Sequence, residues 1–101
     1  MYRQLMEKVY DEYKEFKARE LCKPPHEIFA DAFMIAEYEN ILFHYETTLL
    51  EKDRNALNNI CHAALITPNL LQKTYEYAIG GIRPLMDEED FKLFLEEELS
   101  K

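Results

Sequence analysis

Residues Pro25–Glu46, PHEIFADAFMIAEYENILFHYE, decide how this chain folds. Wound at about 100° per residue, the stretch puts Ile28, Ala32, Ile35, Leu42 and Phe43 on one stripe and Met34, Tyr38, Ile41 and Tyr45 on another. A surface helix needs one apolar stripe, so this helix is either the central post of the domain or keeps one stripe for a partner. Two uses are open to the second stripe: packing by neighbouring helices, or an exposed surface. Because Tyr and Met are favoured in interface cores, Met34, Tyr38, Ile41 and Tyr45, with Asp31 at the rim, form the candidate interface. Glu39 falls near the centre of the first stripe, where a carboxylate is costly unless paired. It is the candidate buried carboxylate, held by Arg54, a tyrosine hydroxyl or a free helix amide, unless the helix rolls and leaves Glu39 at the rim.

Working outward, Tyr2, Leu5, Met6, Val9, Tyr13 and Phe16 recur at three- and four-residue steps and define one face of a first helix, with a charged, solvated face opposite. Pro24 disfavours helical geometry at Lys23, and Pro25 suits a first helical turn. Asp53 can cap a third helix with the stripe Ala56, Leu57, Ile60, Cys61, Ala64 and Leu65; Thr67-Pro68 signals a fourth, with Leu71, Tyr75 and Ala78 inward. Gly80 and Gly81 stand where a left-handed residue would end that helix, and Asp87 caps a last one with Phe91, Phe94, Leu95 and Leu99 on one side. The expected architecture is all-α: one domain over 1–101, a compact array of four to five helices at about 1–21, 25–46, 53–66, 68–79 and 87–99.

With 101 residues and a formal charge of -8, the chain offers one core and little for phosphate backbones to bind, so direct nucleic-acid contact is not expected. No Lys or Arg occurs between Lys23 and Lys52, while Glu27, Asp31, Glu37, Glu39, Glu46 and Glu51 do. Such a block either solvates a small protein or docks on a basic one. Two cysteines, Cys22 and Cys61, make no disulfide framework, and charged residues near the N-terminus argue against a signal peptide, which points to the cytoplasm. No segment has the apolar length of a membrane span.

His26, His44 and His62 are spaced by eighteen residues but share no neighbours, and none completes a Glu-x-x-His pair. Cys22, His26, Cys61 and His62 are of zinc-ligand type, yet adjacent helical residues such as Cys61 and His62 point about 100° apart and rarely grip one ion. No metal and no cofactor is expected, and no catalytic residue stands out.

The run Pro24-Pro25-His26-Glu27-Ile28, followed by Ala32-Phe33, Glu39-Asn40-Ile41-Leu42 and Glu46, resembles a family of short helical proteins from Firmicutes genomes and their mobile elements. Leu70-Leu71 with Tyr75 extends the likeness loosely, family members are often more acidic at the position of Asn40, and the C-terminal helix has no counterpart. The resemblance implies a mobile-element accessory protein and no particular activity. The expected function is therefore a small acidic, non-enzymatic interaction module that binds a protein partner, or a second copy of itself, through the long second helix. An acidic mimic that occupies the nucleic-acid groove of a DNA- or RNA-processing protein is the alternative. A small hydrolase or metal enzyme would require a pocket joining Glu39 to a histidine.

Overall fold

Apolar stripes at helical spacing set the element order, and in the computed structural model, which describes residues 2–80 and 85–99, they produce an all-α array. Its helices are α1 (Tyr2–Leu21), α2 (Pro25–Ala30), α3 (Ala32–Glu46), α4 (Arg54–Ile66), α5 (Leu70–Ile79) and α6 (Glu88–Phe94). A 3-10 turn, Thr48–Glu51, follows α3, and a π-helical turn, Leu95–Leu99, continues α6. No strand occurs among the described residues.

The expected second helix is two helices. Pro25 opens α2 at its first position, but Asp31 adopts φ -90° and ψ 7°, outside the helical well, and turns the axis before α3 begins. Helical bonding runs through the kink, since the Asp31 amide donates to the carbonyls of Glu27 and Ile28 and its own carbonyl accepts from Ile35. Lys23 fixes the kink from outside: its ammonium is 2.8 Å from both Glu20 Oε1 and Asp31 Oδ2 and holds the Asp31 carboxyl below its usual range.

The α3 helix is the post of the array, in contact with α1, α5, α6 and the 3-10 turn. Around it the core collects Leu5, Val9, Ile41, Tyr45, Leu49, Cys61, Leu70, Phe91 and Leu95. Asp53 and Asp87 cap α4 and α6 as expected, accepting from Ala56 at 2.9 Å and Asp90 at 2.8 Å. The start of α5 differs from expectation: Thr67 turns back onto the Ala63 carbonyl of α4, and Asn69, at φ 53°, carries the chain into α5. Gly80 is the last described residue at the end of α5, with right-handed dihedrals (φ -75°); Gly81, the other glycine expected to end the helix, lies outside the described residues.

The polar side of α1 is not simply solvated. Lys8 donates to the Ala64 (2.7 Å), Leu65 and Thr67 carbonyls, closing the C-terminal end of α4, where a cation also meets the negative pole of the helix. One turn later Glu12 Oε1 accepts from the Leu71 amide at 2.8 Å and so caps α5, whose own cap residue Asn69 makes no side-chain bond. Tyr2 donates from its hydroxyl to the Glu46 carbonyl at 3.0 Å at the end of α3.

Removing these caps has an expected scale. Lys8→Met should lower the unfolding free energy by about 1–2 kcal/mol and Glu12→Leu by a similar amount, with Glu12→Gln milder because an amide oxygen still accepts. Urea denaturation measures each; an unchanged midpoint for Lys8→Met would show that water replaces the ammonium at no loss.

Candidate functional site

The stripe Met34, Tyr38, Ile41 and Tyr45 lies against the core rather than on a free surface. Tyr38, Ile41 and Tyr45 are buried, and Met34 and Asp31 are half-buried. Tyr38 is stacked on Phe16 at 3.9 Å between ring centroids and lies 5.2 Å from Tyr75, so α1 and α5 cover it. Tyr45 meets Phe91 edge-on at 4.9 Å. Its hydroxyl is 2.9 Å from Thr74 Oγ1, and since the Thr74 proton goes to the Leu70 carbonyl, Tyr45 is the donor. The expectation of an interface through this stripe is therefore corrected: the helix is rolled so that its tyrosines fill the core, which is the other use open to them.

The same roll moves the carboxylates. Glu39 is exposed and accepts from the Tyr13 hydroxyl at 2.7 Å, while the buried carboxylate is Glu37, at 1% exposure. Glu37 receives the Met86 amide on both oxygens (3.1 and 3.3 Å) and the Asn40 side-chain amide at 3.3 Å. Asn40 also donates to the Met86 carbonyl at 2.7 Å, and His44 Nε2 reaches that carbonyl at 3.1 Å. Three residues at steps of three and four on α3 thus satisfy both backbone groups of Met86, fastening the segment that leads into α6. Because a carbonyl only accepts, His44 carries its proton on Nε2; its Nδ1 is 2.8 Å from the Thr48 hydroxyl, and its ring stacks on Phe91.

An imidazole beside a threonine hydroxyl has the outline of a base and a nucleophile. Here both are buried, and the second nitrogen is bound to a backbone carbonyl, so the pair works as a lock on Met86. Among the described residues no three His, Cys, Asp or Glu side chains are grouped to hold a metal; Cys22 is exposed and Cys61 buried. A partly open cavity of about 390 Å³ lies between α5 and the C-terminal turn, lined by Lys73, Glu76, Tyr77, Phe94 and Glu98 among others, with neither Glu39 nor a histidine in its lining.

With one arc of α3 in the core, the arc turned outward is unexpectedly apolar. Phe33 is 51% and Phe43 58% exposed, Ala32 and Ala36 are exposed with them, and Phe29 on α2 is 84% exposed. Phe43 belongs to the stripe expected to be core, and its companion Leu42 is buried. Glu39 and Glu46 border the arc, each accepting from a tyrosine of α1, Tyr13 and Tyr10, at 2.7 Å. Glu37, Asn40 and His44 were missed by pattern reasoning that treated polar residues as outward, although the wheel sets Glu37 and His44 beside Ile41. No protein-family model matches the chain, and no curated protein or solved structure shows a significant match to it.

Glu37 and Glu39 should separate cleanly in a melt. Glu37→Ala removes a charged acceptor from a buried amide and leaves a void, lowering stability by about 2–4 kcal/mol, with Glu37→Gln losing roughly 1. Glu39→Ala should stay within about 0.5 kcal/mol of the parent. Equal effects at the two positions would mean that Met86 is not held as described.

All seven tyrosine phenols are shifted above their ordinary pKa of 10.0. Burial is the main cause at Tyr45, burial and the Glu39 carboxylate at Tyr13, and the hydrogen bond to Glu46 at Tyr10. A phenol that holds its proton more tightly when folded contributes stability that is whole below about pH 10 and is lost as pH rises further. Absorbance at the phenolate band should therefore rise late in the folded protein, and the midpoint of thermal unfolding should fall above pH 10. Tyr45→Phe should flatten that fall; an unchanged alkaline slope would place the effect on the other phenols.

Proposed function

We propose that this chain is a non-catalytic protein-interaction module whose docking face is the aromatic arc of α2 and α3, built on Phe29, Phe33, Ala36 and Phe43. The observation that carries it is the exposure of three phenylalanines along one side of two consecutive helices. Single exposed apolar residues are ordinary in a folded protein, but aromatic side chains repeated along one helical face make a patch of the kind that partners cover. The domain's own core does not need this arc, since α1, α5 and α6 already pack around α3. A partner-binding role also suits the accessory protein that the family resemblance implies. A mimic of nucleic acid would bind through carboxylates alone and would have no use for the phenylalanines.

Site-specific photo-crosslinking tests the reading. A benzophenone side chain placed at position 33 or 43 should give a discrete protein adduct in lysate of the source organism, and one at position 14, on exposed α1 surface, should not. Phe33→Asp with Phe43→Asp should remove the partner while leaving the melting midpoint within about 3 °C, because exposed positions contribute little to the fold. Adducts in equal yield from all three positions, or a partner retained by the double variant only until salt is raised, would reject the aromatic face.

A further inference from the structure

The aromatic arc is bordered by carboxylates that form no ion pair among the described residues. Glu39 and Glu46 each use one oxygen on a tyrosine hydroxyl. Among the described residues the ion pairs are Lys8 with Glu12, Lys23 with Glu20 and Asp31, and Lys52 with Glu96, so Glu39 and Glu46 take part in none. Lys17, on the α1 border, sits over the Tyr13 ring, 5.5 Å from its centroid.

We infer that the occupant of this face is an amphipathic helix with an apolar stripe flanked by Lys or Arg, an inference that rests on the docking reading above. Phe33 to Phe43 covers ten residues, about 15 Å of helix axis, and Phe29 lengthens the row across the kink, which matches roughly three turns of a partner helix. The exposed alanines at 32 and 36 let a second helix come close between the rings. Charge then selects among occupants. A second copy docked through a two-fold would bring its own Glu39 and Glu46 to the same seam, and α2 and α3 contain no Lys or Arg to answer them. An anionic lipid surface is repelled for the same reason. A helix with basic flanks meets both the apolar arc and the open carboxylate oxygens.

The test uses the full chain and two fluorescein-labelled synthetic peptides with one shared leucine stripe, differing only in whether the flanking positions are Lys or Glu. Fluorescence anisotropy should show the Lys peptide binding at least about tenfold tighter than the Glu peptide at low salt, a gap that narrows at high salt. Glu39→Gln with Glu46→Gln, which keeps an acceptor for both tyrosines, should erase most of that preference, and Phe33→Asp with Phe43→Asp should abolish binding of both peptides. Equal binding of the two peptides, lost in the phenylalanine variant, would overturn the basic-helix inference while leaving the face as a docking site. Failure of both peptides to exceed the phenylalanine variant overturns it as well, and the crosslinking result then decides separately whether the face binds anything. A dimer of the chain alone in sedimentation, dissolved by Phe33→Asp, would replace the inferred partner with a second copy.

Discussion

Helix ends leave backbone N–H and C=O groups without intrahelical partners, and a domain made of helices 6 to 20 residues long has many such ends for its size. The arrangement depends on one helix supplying what the others lack. Along α1, Tyr2 reaches the end of α3, Lys8 closes the end of α4 and Glu12 opens α5. Each contact pairs a group that water would otherwise have to reach, and each is placed by the same helical register that sends Leu5, Val9 and Phe16 into the core. Apolar burial gives the attraction among these helices, and the caps fix where along α1 each of them stops. The Lys8–Glu12 pair, 3.9 Å apart, sits at the α4–α5 turn, with the cation toward the negative end of one helix and the anion toward the positive end of the next.

A second polar constraint ties the C-terminal part of the chain to the post. Met86 buries its side chain and brings backbone groups inward with it, and those groups need partners. Glu37, Asn40 and His44 provide them from a single face of α3, and Thr48 and Phe91 fix the imidazole in turn. Removing one member would leave a buried donor or acceptor unpaired, which is why such a cluster specifies a single arrangement of α6 more strongly than apolar contact does.

The helices themselves were legible because each carries a periodic stripe and recognisable ends: Pro25 at a first turn, Asp53 and Asp87 as caps, apolar residues every three or four positions. The roll of α3 was not. Glu37 and Glu39 are two residues apart and chemically identical, and the two apolar stripes on this helix overlap, so a wheel permits either glutamate to face inward. What decides between them is a long-range partner, the Met86 amide, 49 positions away from Glu37, and no local pattern encodes it. The break at Asp31 also has a partner distant in sequence, because the Lys23 ammonium, held by Glu20, pairs with the Asp31 carboxylate across the α1–α2 connection. Glu12 could have been found, since the wheel sets it about 20° from Leu5, at the edge of the apolar stripe. The acidic identity of the candidate face was legible from the missing cations between Lys23 and Lys52, but its aromatic content became visible only once the tyrosines were known to be inside.

The roll of α3 therefore links the fold to the proposed docking face. A helix with two apolar stripes cannot bury both when polar residues occupy part of its inner arc, and in this chain Glu37 and His44 take that part. Their inward turn brings Tyr38 and Tyr45 into the core and carries Phe33 and Phe43 outward. Covering a phenylalanine side chain contributes about 1.5–3 kcal/mol, so the exposed arc offers several kcal/mol to a partner. Association itself costs an estimated 4–15 kcal/mol, which the rings alone barely offset. In the proposed docking role the rim carboxylates Glu39 and Glu46 would matter most for which partner arrives and how fast, since they would accelerate encounter with a basic segment and reject an acidic one, while the rings would hold it once seated. A docking face of this composition, as proposed, would discriminate by charge and retain by aromatic contact, and both properties would follow from the direction in which Glu37 points.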